Sequence, residues 1–572
     1  MEPRQRCRGT ALAALLLLGG LSVAFGWTDI AAALTHRGTS HVWQGCPANG
    51  GWHGSASADG VHWQGRGITV VAVNESWEGY ASHGRTNVGG GGSPCAGFAT
   101  VDDEGTPCVG FRPCSCSSGT TELNPRAHNW DAPLQIRCAT NTNLTAWGPP
   151  EYLFPVYFAR PLPYDPPRPW KDHDGRWYQL LSTDGCNGTL TDGACPAGGR
   201  MDMWSSPSLR GPGANWSYVG PMLTTTAFPV PAGGGDGSGH GGCVGQCREF
   251  VTSGFFGSVP GDPRGGRTRV LTHGNDAYYL GVQANGGAFR DTTGKHAFAG
   301  EGEMGVFDYG TYAPTNATNT TGLDALQYAH DLPNGAKMWG GLFLCKTLGS
   351  DPNEVAVTGR RTLVSDIMGG GKTYTGAVLH SVQSLLQELT LGSSASGAVV
   401  MQQQFVSELA SLRQSGPVGN SSHQFEVVAA ITRPAGGGSQ SWFTVLGGTK
   451  IGVDWSRRLV FVDATAQRNP AVRAGPLLTN SSTAHVHVIV DHSIVAAIFT
   501  NRTSITARVQ PAMTDGGVAA GAGTVIKGAW PLATANENAH LSGGHVPKIH
   551  NAPVCLDCAQ GGMQDGVCTK WM

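Results

Sequence analysis

The sequence predicts an all-β chain in two parts: small sheets repeated around an axis, followed by a β-sandwich. Three observations carry this. From about Trp27 to about Gly371, short apolar runs are broken by Gly, Pro, Asn, Asp and Ser, with hardly any helical periodicity. A segment ending in tryptophan recurs before strand-like runs, as Asp59-Gly-Val-His-Trp63, Asn143-Leu-Thr-Ala-Trp147 and Ser208-Leu209 leading to Asn215-Trp216. Sheets repeated around an axis produce such a recurrence, although tryptophan after a turn also suits a sandwich. From Phe425 to Pro511 the strands lengthen and alternate, as FEVVAAI, SWFTVLG, LVFVDA, HVHVIV and SIVAAIFT, which is a sandwich pattern.

With 572 residues, 40% apolar and 14% charged, the chain can bury more than one core; length alone suggests about two to four domains. A net charge of −2, with no Lys/Arg cluster beyond the N-terminus, argues against a nucleic-acid partner. Residues 1–26 read as a signal peptide: the basic MEPRQRCRGT precedes the apolar ALAALLLLGGLSVAFG, a stretch short for a spanning helix, with an uncleaved anchor as the alternative. After cleavage no membrane association is expected. The protein is then secreted or extracellular, or reaches a cell wall or vacuole by the secretory route. Removing Cys7 leaves 14 cysteines, an even number suited to disulfides whose pairing stays open. Nine Asn-x-Ser/Thr sequons, at Asn74, Asn143, Asn187, Asn215, Asn316, Asn319, Asn420, Asn480 and Asn501, fit the same route. Cys555-x-x-Cys558 has neither a second pair nor a His-x₃-His partner, so no metal and no cofactor is expected.

The stretch Tyr164 to Leu181, YDPPRPWKDHDGRWYQLL, reads as strand, tight turn, strand, with Asp165 at a loop mouth. It resembles the R-D-P loop and the W-K-x-D-G-K-W-Y hairpin of glycoside hydrolase family 32, the invertases and fructan hydrolases. Other motifs follow in the family's order. Trp52-His-Gly-Ser-Ala-Ser-Ala-Asp59-Gly-Val-His-Trp63 is similar to W-G-H-A-x-S-x-D-L-x-H-W, and Cys95 to Gly105 to the G-S-A-T-x-D-x-x-G hairpin. Met203 to Leu209 with Trp216 to Gly220, Tyr278-Tyr-Leu-Gly281, and Phe307-Asp308-Tyr-Gly310 closed by Tyr312-Ala313 continue the series. Between Gly359 and Arg413 the likeness is closest: Gly359-Arg-Arg361, Ser381-Val-Gln-Ser384, and Gln403 through Glu408-Leu409 to Leu412-Arg413. Val406, Leu409 and Leu412 fall on one face of a short helix there. Val488 to Phe499 with Arg508-Val-Gln-Pro511 is similar to the family's V-D-x-S-x-x-E-x-F…R-x-x-P pair, with Ala496 in place of its Glu.

The resemblance implies a five-bladed β-propeller over 27–375 and a β-sandwich over 376–511. Residues 512–572 read as a Gly/Ala-rich linker and a cysteine-containing tail. It implies sucrose or fructan-type carbohydrate as partner; the oligomeric state is not readable. Retaining cleavage needs a carboxylate nucleophile and a protonated acid roughly 5–5.5 Å apart. In the family these are the Asp of W-M-N-D-P-N-G and the Glu of E-C-P-D-F, and the Asp of R-D-P stabilises the transition state. Asp165 matches the last of these. Gln246, in Val244-Gly-Gln-Cys-Arg-Glu-Phe250, stands at the acid position, where an amide has no proton to give. Glu249 falls where the family contacts sugar, and Trp52 and Asp308 are further substrate-binding candidates.

The nucleophile motif W-M-N-D-P-N-G is absent, and no nucleophile is identified. Asp29, in Trp-Thr-Asp-Ile, is the candidate by count, though it lacks the family's turn residues, and His41 to Pro47 is similar to H-x-x-Y-Q-x-x-P with one residue fewer. An incomplete first blade is therefore expected. Three readings result: a hydrolase with an unusual or truncated catalytic set, a non-catalytic sugar-binding relative, and a structural glycoprotein.

Overall fold

Strand β1 (Asp29–His36) and strand β2 (Thr39–Gly45) form a hairpin across Arg37-Gly38, both at positive φ (50° and 75°). A two-residue turn of this kind matches the right-handed twist of the strands it joins. The computed structural model describes residues 29–45, 51–71, 93–114, 134–153, 168–172, 174–183, 200–224, 256–257, 259–273, 277–283, 289–291, 304–309, 330–331, 337–338, 345–350, 360–367, 382–419, 423–467, 472–492, 494–509 and 517–533. The expected signal peptide and the tail beyond 533 lie outside them.

The first sheet is completed by β3 (Gly51–Ser57) and β4 (Gln64–Val71), so it has four strands. The expectation of an incomplete first blade is corrected by this pairing. The second sheet is β5 (Ser93–Val101), β6 (Pro107–Cys114), β7 (Gln135–Cys138) and β8 (Glu151–Tyr152). The third is β9 (Trp170–Lys171), β10 (Trp177–Thr183), β11 (Arg200–Ser206) and β12 (Ser217–Thr224). The fourth is β13 (Phe256–Gly257), β14 (Arg269–His273), β15 (Ala277–Gln283) and β16 (Phe289–Asp291), with β17 (Met304–Val306) also on β15. A short ladder of β18 (His330–Asp331) and β19 (Lys337–Met338) precedes the fifth sheet. That sheet is β20 (Cys345–Ser350), β21 (Thr362–Ile367), β23 (Gln387–Ser393) and β24 (Val399–Phe405), with β22 (Val382–Gln383) beside β21.

These sheets are the blades of a propeller. β1 runs parallel to β20 through Leu34↔Gly349 and Thr35↔Ser350, which brings the last blade against the first. Ala31, Ala32 and Leu34 of β1 also pack on Ala99 and Val101 of β5, so the first strand of a blade lies innermost. Space near the axis is tight, and the alanine run of β1 suits it. Separate apolar clusters fill the gaps between blades. Trp43 and Trp52 meet Phe111 between blades one and two, Phe98 and Ile136 meet Trp177 and Leu181 between two and three, and Val270 and Tyr278 meet Leu389 and Met401 between four and five.

The 3₁₀ helix Ser407–Leu412 leads out of the propeller. Val406, Leu409 and Leu412 are spaced by three, and side chains three apart eclipse in a 3₁₀ helix. All three are buried in a cluster with Ala33 and Val42 of blade one and with Ile489, Ala496 and Ile498 of the next domain. Ala496, standing where the family has a glutamate, is thus an interdomain core residue.

The second domain is a sandwich of two five-stranded sheets. One holds β25 (Gln424–Thr432), β30 (Thr483–Asp491), β31 (Ile494–Phe499), β32 (Thr503–Arg508) and β34 (Thr524–Pro531), in the order β32-β31-β30-β25-β34. The other holds β26 (Gln440–Val445), β27 (Thr449–Asp454), β28 (Leu459–Asp463), β29 (Val472–Pro476) and β33 (Val518–Ala519), in the order β29-β28-β27-β26-β33. Both sequence boundaries shift. β23 and β24 belong to blade five, so the sandwich starts at Gln424 rather than near 376. β34 pairs with β25 from Phe425↔Pro531 to Ile431↔Thr524, so residues assigned to a linker after 511 are part of the sandwich.

Candidate active site

β1 opens at Asp29, whose backbone faces Gly45 at the end of β2. Asp165 stands five residues before β9, and Gln246 ten before β13. Asp165, Gln246 and Glu249 themselves lie outside the described residues. In sequence, then, the three candidate positions begin or precede the first strand of blade one, three or four. The parallel contact of β1 with β20 shows that the first strands of blades one and five run in the same direction.

The hairpin that follows Asp165 is held firmly. Asp172 N–H donates to Arg176 O and Gly175 N–H to Asp172 O, both at 2.9 Å, with Gly175 at φ 78°. Asp174 accepts Arg176 N–H at 2.9 Å and the Tyr178 hydroxyl at 2.7 Å. Burial, reinforced by Asp174, pushes the Tyr178 phenol up to about 12, so it stays a donor. Trp170 and Tyr178 sit opposite each other across β9 and β10 with rings 5.6 Å apart, near parallel.

Asp102 and Asp103, in the hairpin after β5, tie blade two to this segment. Asp103 accepts Lys171 Nζ at 2.7 Å, Trp177 Nε1 at 2.9 Å and Leu209 N–H at 3.3 Å. Burial raises the Asp103 carboxyl, but the donors from Lys171 and Trp177 outweigh it and hold the group below the usual range. Asp102 accepts Arg210 Nε at 2.9 Å and Nη2 at 2.7 Å, and Arg210 Nη1 reaches Glu151 at 2.9 Å. A bidentate guanidinium–carboxylate contact fixes orientation as well as charge. Sequence reasoning saw this D-x-x-G motif without its role, since its partners lie in other blades.

Two expected sugar contacts are corrected. Trp52 is completely buried between blades one and two, its ring edge-on to Phe111 at 5.4 Å. Asp308 is buried against the second domain: its carboxylate accepts Ser504 Oγ at 2.8 Å, Thr506 Oγ1 at 2.6 Å and Thr506 N–H at 2.8 Å. The rest of the Trp52 motif also builds structure, because Asp59 accepts Val61 N–H, His62 N–H and Ser57 Oγ and so closes the turn before β4.

Among the described residues, Asp102, Cys108 and Cys138 are the one group with metal-ligand spacing. Cys108 and Cys138 are bonded as a disulfide between directly paired residues of β6 and β7, which leaves no thiolate for a metal.

The junction below the propeller holds functional-motif residues of another kind. Arg360, of Gly359-Arg-Arg361, forks onto Glu408 of the 3₁₀ helix and reaches Glu388 at 3.1 Å. Arg413 donates to Glu426 through Nε and Nη2, both at 2.7 Å, and stacks 4.2 Å from the Trp530 ring. His487 Nε2 lies 2.7 Å from the same carboxylate, with Phe405 edge-on to its ring.

Residues 394–528 match the family model described as glycosyl hydrolases family 32 C terminal. No curated protein matches the chain. Solved structures share its fold. Exo-inulinase from Aspergillus awamori superposes with a TM-score of 0.59 at 13% identity, over 90% of this chain and 97% of that one. Fructan 1-exohydrolase IIa from Cichorium intybus gives 0.56 at 15%, over 89% and 96%. A glutamate-to-glutamine variant of the Cichorium enzyme, in complex with 1-kestose, superposes with the same figures.

Proposed function

We propose that the chain is a member of glycosyl hydrolase family 32, on the family-model match of residues 394–528 and the shared fold, and that it is a secreted protein acting on sucrose or fructans, with cleavage limited by its acid position. Asp29 serves as nucleophile, Asp165 holds the ring hydroxyls, and Glu249 contacts the sugar. Gln246 supplies a hydrogen bond where a proton is needed. The observation that supports this most is the start of β1 at Asp29, inside a four-stranded first blade. A nucleophile and an electrostatic clamp lower the barrier without a proton donor, so fructosides with good leaving groups still turn over. Sucrose, whose leaving oxygen needs protonation, loses the general-acid contribution of roughly 10²–10⁴-fold.

A second reading, a non-catalytic fructoside binder, is favoured by Gln246 alone. The Cichorium variant carrying glutamine for glutamate was crystallised with 1-kestose, so sugar binding tolerates such an exchange in that protein.

Residues 27–572, produced in a disulfide-permitting host, separate the readings through fructose release from sucrose and from an aryl fructoside. The expected result is slow aryl fructoside cleavage, almost none on sucrose, a gain of roughly 10²–10⁴-fold on sucrose in Gln246→Glu, and loss of both activities in Asp29→Asn. Sugar binding without turnover even in Gln246→Glu would favour the binder. Invertase-like turnover by the unaltered chain would refute the acid deficit.

A further inference from the structure

Four large apolar side chains are exposed among the described residues: Tyr218 at 47%, Val219 at 42%, Leu478 at 40% and Val525 at 62%. Three of them stand within four residues of a sequon asparagine. Tyr218 and Val219 follow Asn215-Trp-Ser217, and Leu478 precedes Asn480-Ser-Ser482. Both asparagines are exposed, and they lie in different domains, so the coincidence occurs twice independently.

The local geometry suits modification at both places. Asn215 directly precedes the buried Trp216 and the start of β12, the outermost strand of blade three, where it is anchored by its backbone N–H to Ser206 Oγ at 2.9 Å. Asn215 is exposed, and Tyr218, three residues on, has its ring edge-on to Trp204 at 5.5 Å. At the second place Asn480 Oδ1 accepts Arg458 Nη2 at 3.2 Å. That contact orients the amide through its oxygen, which N-glycosylation preserves.

We propose that Asn215 and Asn480 carry N-linked oligosaccharides whose first sugars cover Tyr218 with Val219, and Leu478. This rests on the secretory reading of the chain. The donor is an oligosaccharide on a lipid diphosphate. The asparagine Nδ2 bonds to the anomeric carbon, that carbon's bond to the diphosphate oxygen breaks, the lipid diphosphate leaves with the electron pair, and Nδ2 gives up one proton. The C–H face of a pyranose is apolar and lies well on a tyrosine ring or an aliphatic side chain. At Asn215 the cover has a second effect, because β12 is the outermost strand of its sheet among the described residues, and bulky solvated chains there oppose edge-to-edge association. Asn143 and Asn501, also exposed, adjoin buried Leu144 and Thr503, and none of the exposed large apolar residues among those described stands next to them in sequence. Val525 has no sequon nearby and serves as an internal reference.

The test uses the full chain secreted from a eukaryotic host. Enzymatic deglycosylation in oxygen-18 water, which turns an occupied asparagine into aspartate carrying a heavy carboxyl oxygen, is read by peptide mass; both Asn215 and Asn480 are expected to be converted. Hydroxyl-radical labelling of the folded protein is then compared before and after deglycosylation. Labelling of Tyr218, Val219 and Leu478 should rise several-fold while Val525 stays constant. Unoccupied Asn215 or Asn480 in secreted protein overturns this proposal alone, as does equal labelling, or a matching rise at Val525 that would signal general loosening. Retention in the cytosol with an intact N-terminus overturns the secretory reading together with the proposal.

Discussion

The sandwich and the propeller solve the same burial problem in different ways. In the sandwich, alternating strands send Phe425, Val427, Phe443, Val453, Val488 and Phe499 into one continuous interior. In the propeller, each gap between blades has its own smaller cluster, and ionic clamps such as Asp102 with Arg210 cross the same gaps. A single interior is robust because every strand contributes to it. A ring of wedges leaves its inner strand ends free for loops that bind and react, and it depends more on contacts between neighbours.

This contrast can be broken or sharpened by substitution. The largest loss is expected for Phe443→Ala in the sandwich interior, roughly 3–5 kcal/mol by urea unfolding, because a fully buried ring leaves a cavity. A loss below about 1 kcal/mol would mean the sandwich core repacks freely. Next is Glu426→Gln at the junction, with an expected loss of roughly 2–3 kcal/mol; the carboxylate is buried, but Arg413 and His487 reach solvent, so the cost is less than for a sealed pair. Smaller again, Arg210→Met should cost about 1–2 kcal/mol, since Asp102 keeps its backbone donors Glu104 and Thr106. Hydrogen exchange should rise in β9 to β12 before the sandwich; uniform exchange would show that the blades do not loosen separately.

The smallest effect is on pH. His41, buried in blade one, is held down to about 4, first by burial and then by Arg66 and His36. Its neutral form stabilises the fold fully above the ordinary value of 6.5, and that contribution is lost as pH falls from 6.5 towards 4. For Glu426 burial raises the carboxyl, but Arg413 and His487 outweigh it and bring it to about 2. The junction therefore keeps its contribution above 4.5 and loses it as pH falls towards 2. Exchange measured across pH should show blade one softening at higher pH than the junction, and His41→Gln should remove the earlier step.

What was legible in the sequence follows the same division. Alternation alone revealed the sandwich strands, because each strand has one face inside and one outside. β34 escaped because its approach is rich in Gly and Ala and its own residues are only partly buried. At the candidate site, order along the chain offers Asp165, Gln246 and Asp29 as candidates, but motif residues that fold and motif residues that bind look alike in sequence. In sequence Asp308 reads as a sugar contact because its partners, Ser504 and Thr506, are 196 and 198 residues away. Trp52 was misjudged for a similar reason, since Phe111 belongs to the next blade. The interdomain role of Ala496 needed the two domains in contact before it could be seen.

The parallel contact between β1 and β20 sets a timetable for the newborn chain. Leu34 meets Gly349, more than three hundred residues later, and at a ribosomal pace of ~5–20 residues per second the first strand waits tens of seconds for its neighbour. Through that interval the strand beginning with Asp29 has one bare side, open to rival strands and to chaperones. A chain cut short before Cys345 never reaches the end of that wait, even with every candidate catalytic position already synthesised.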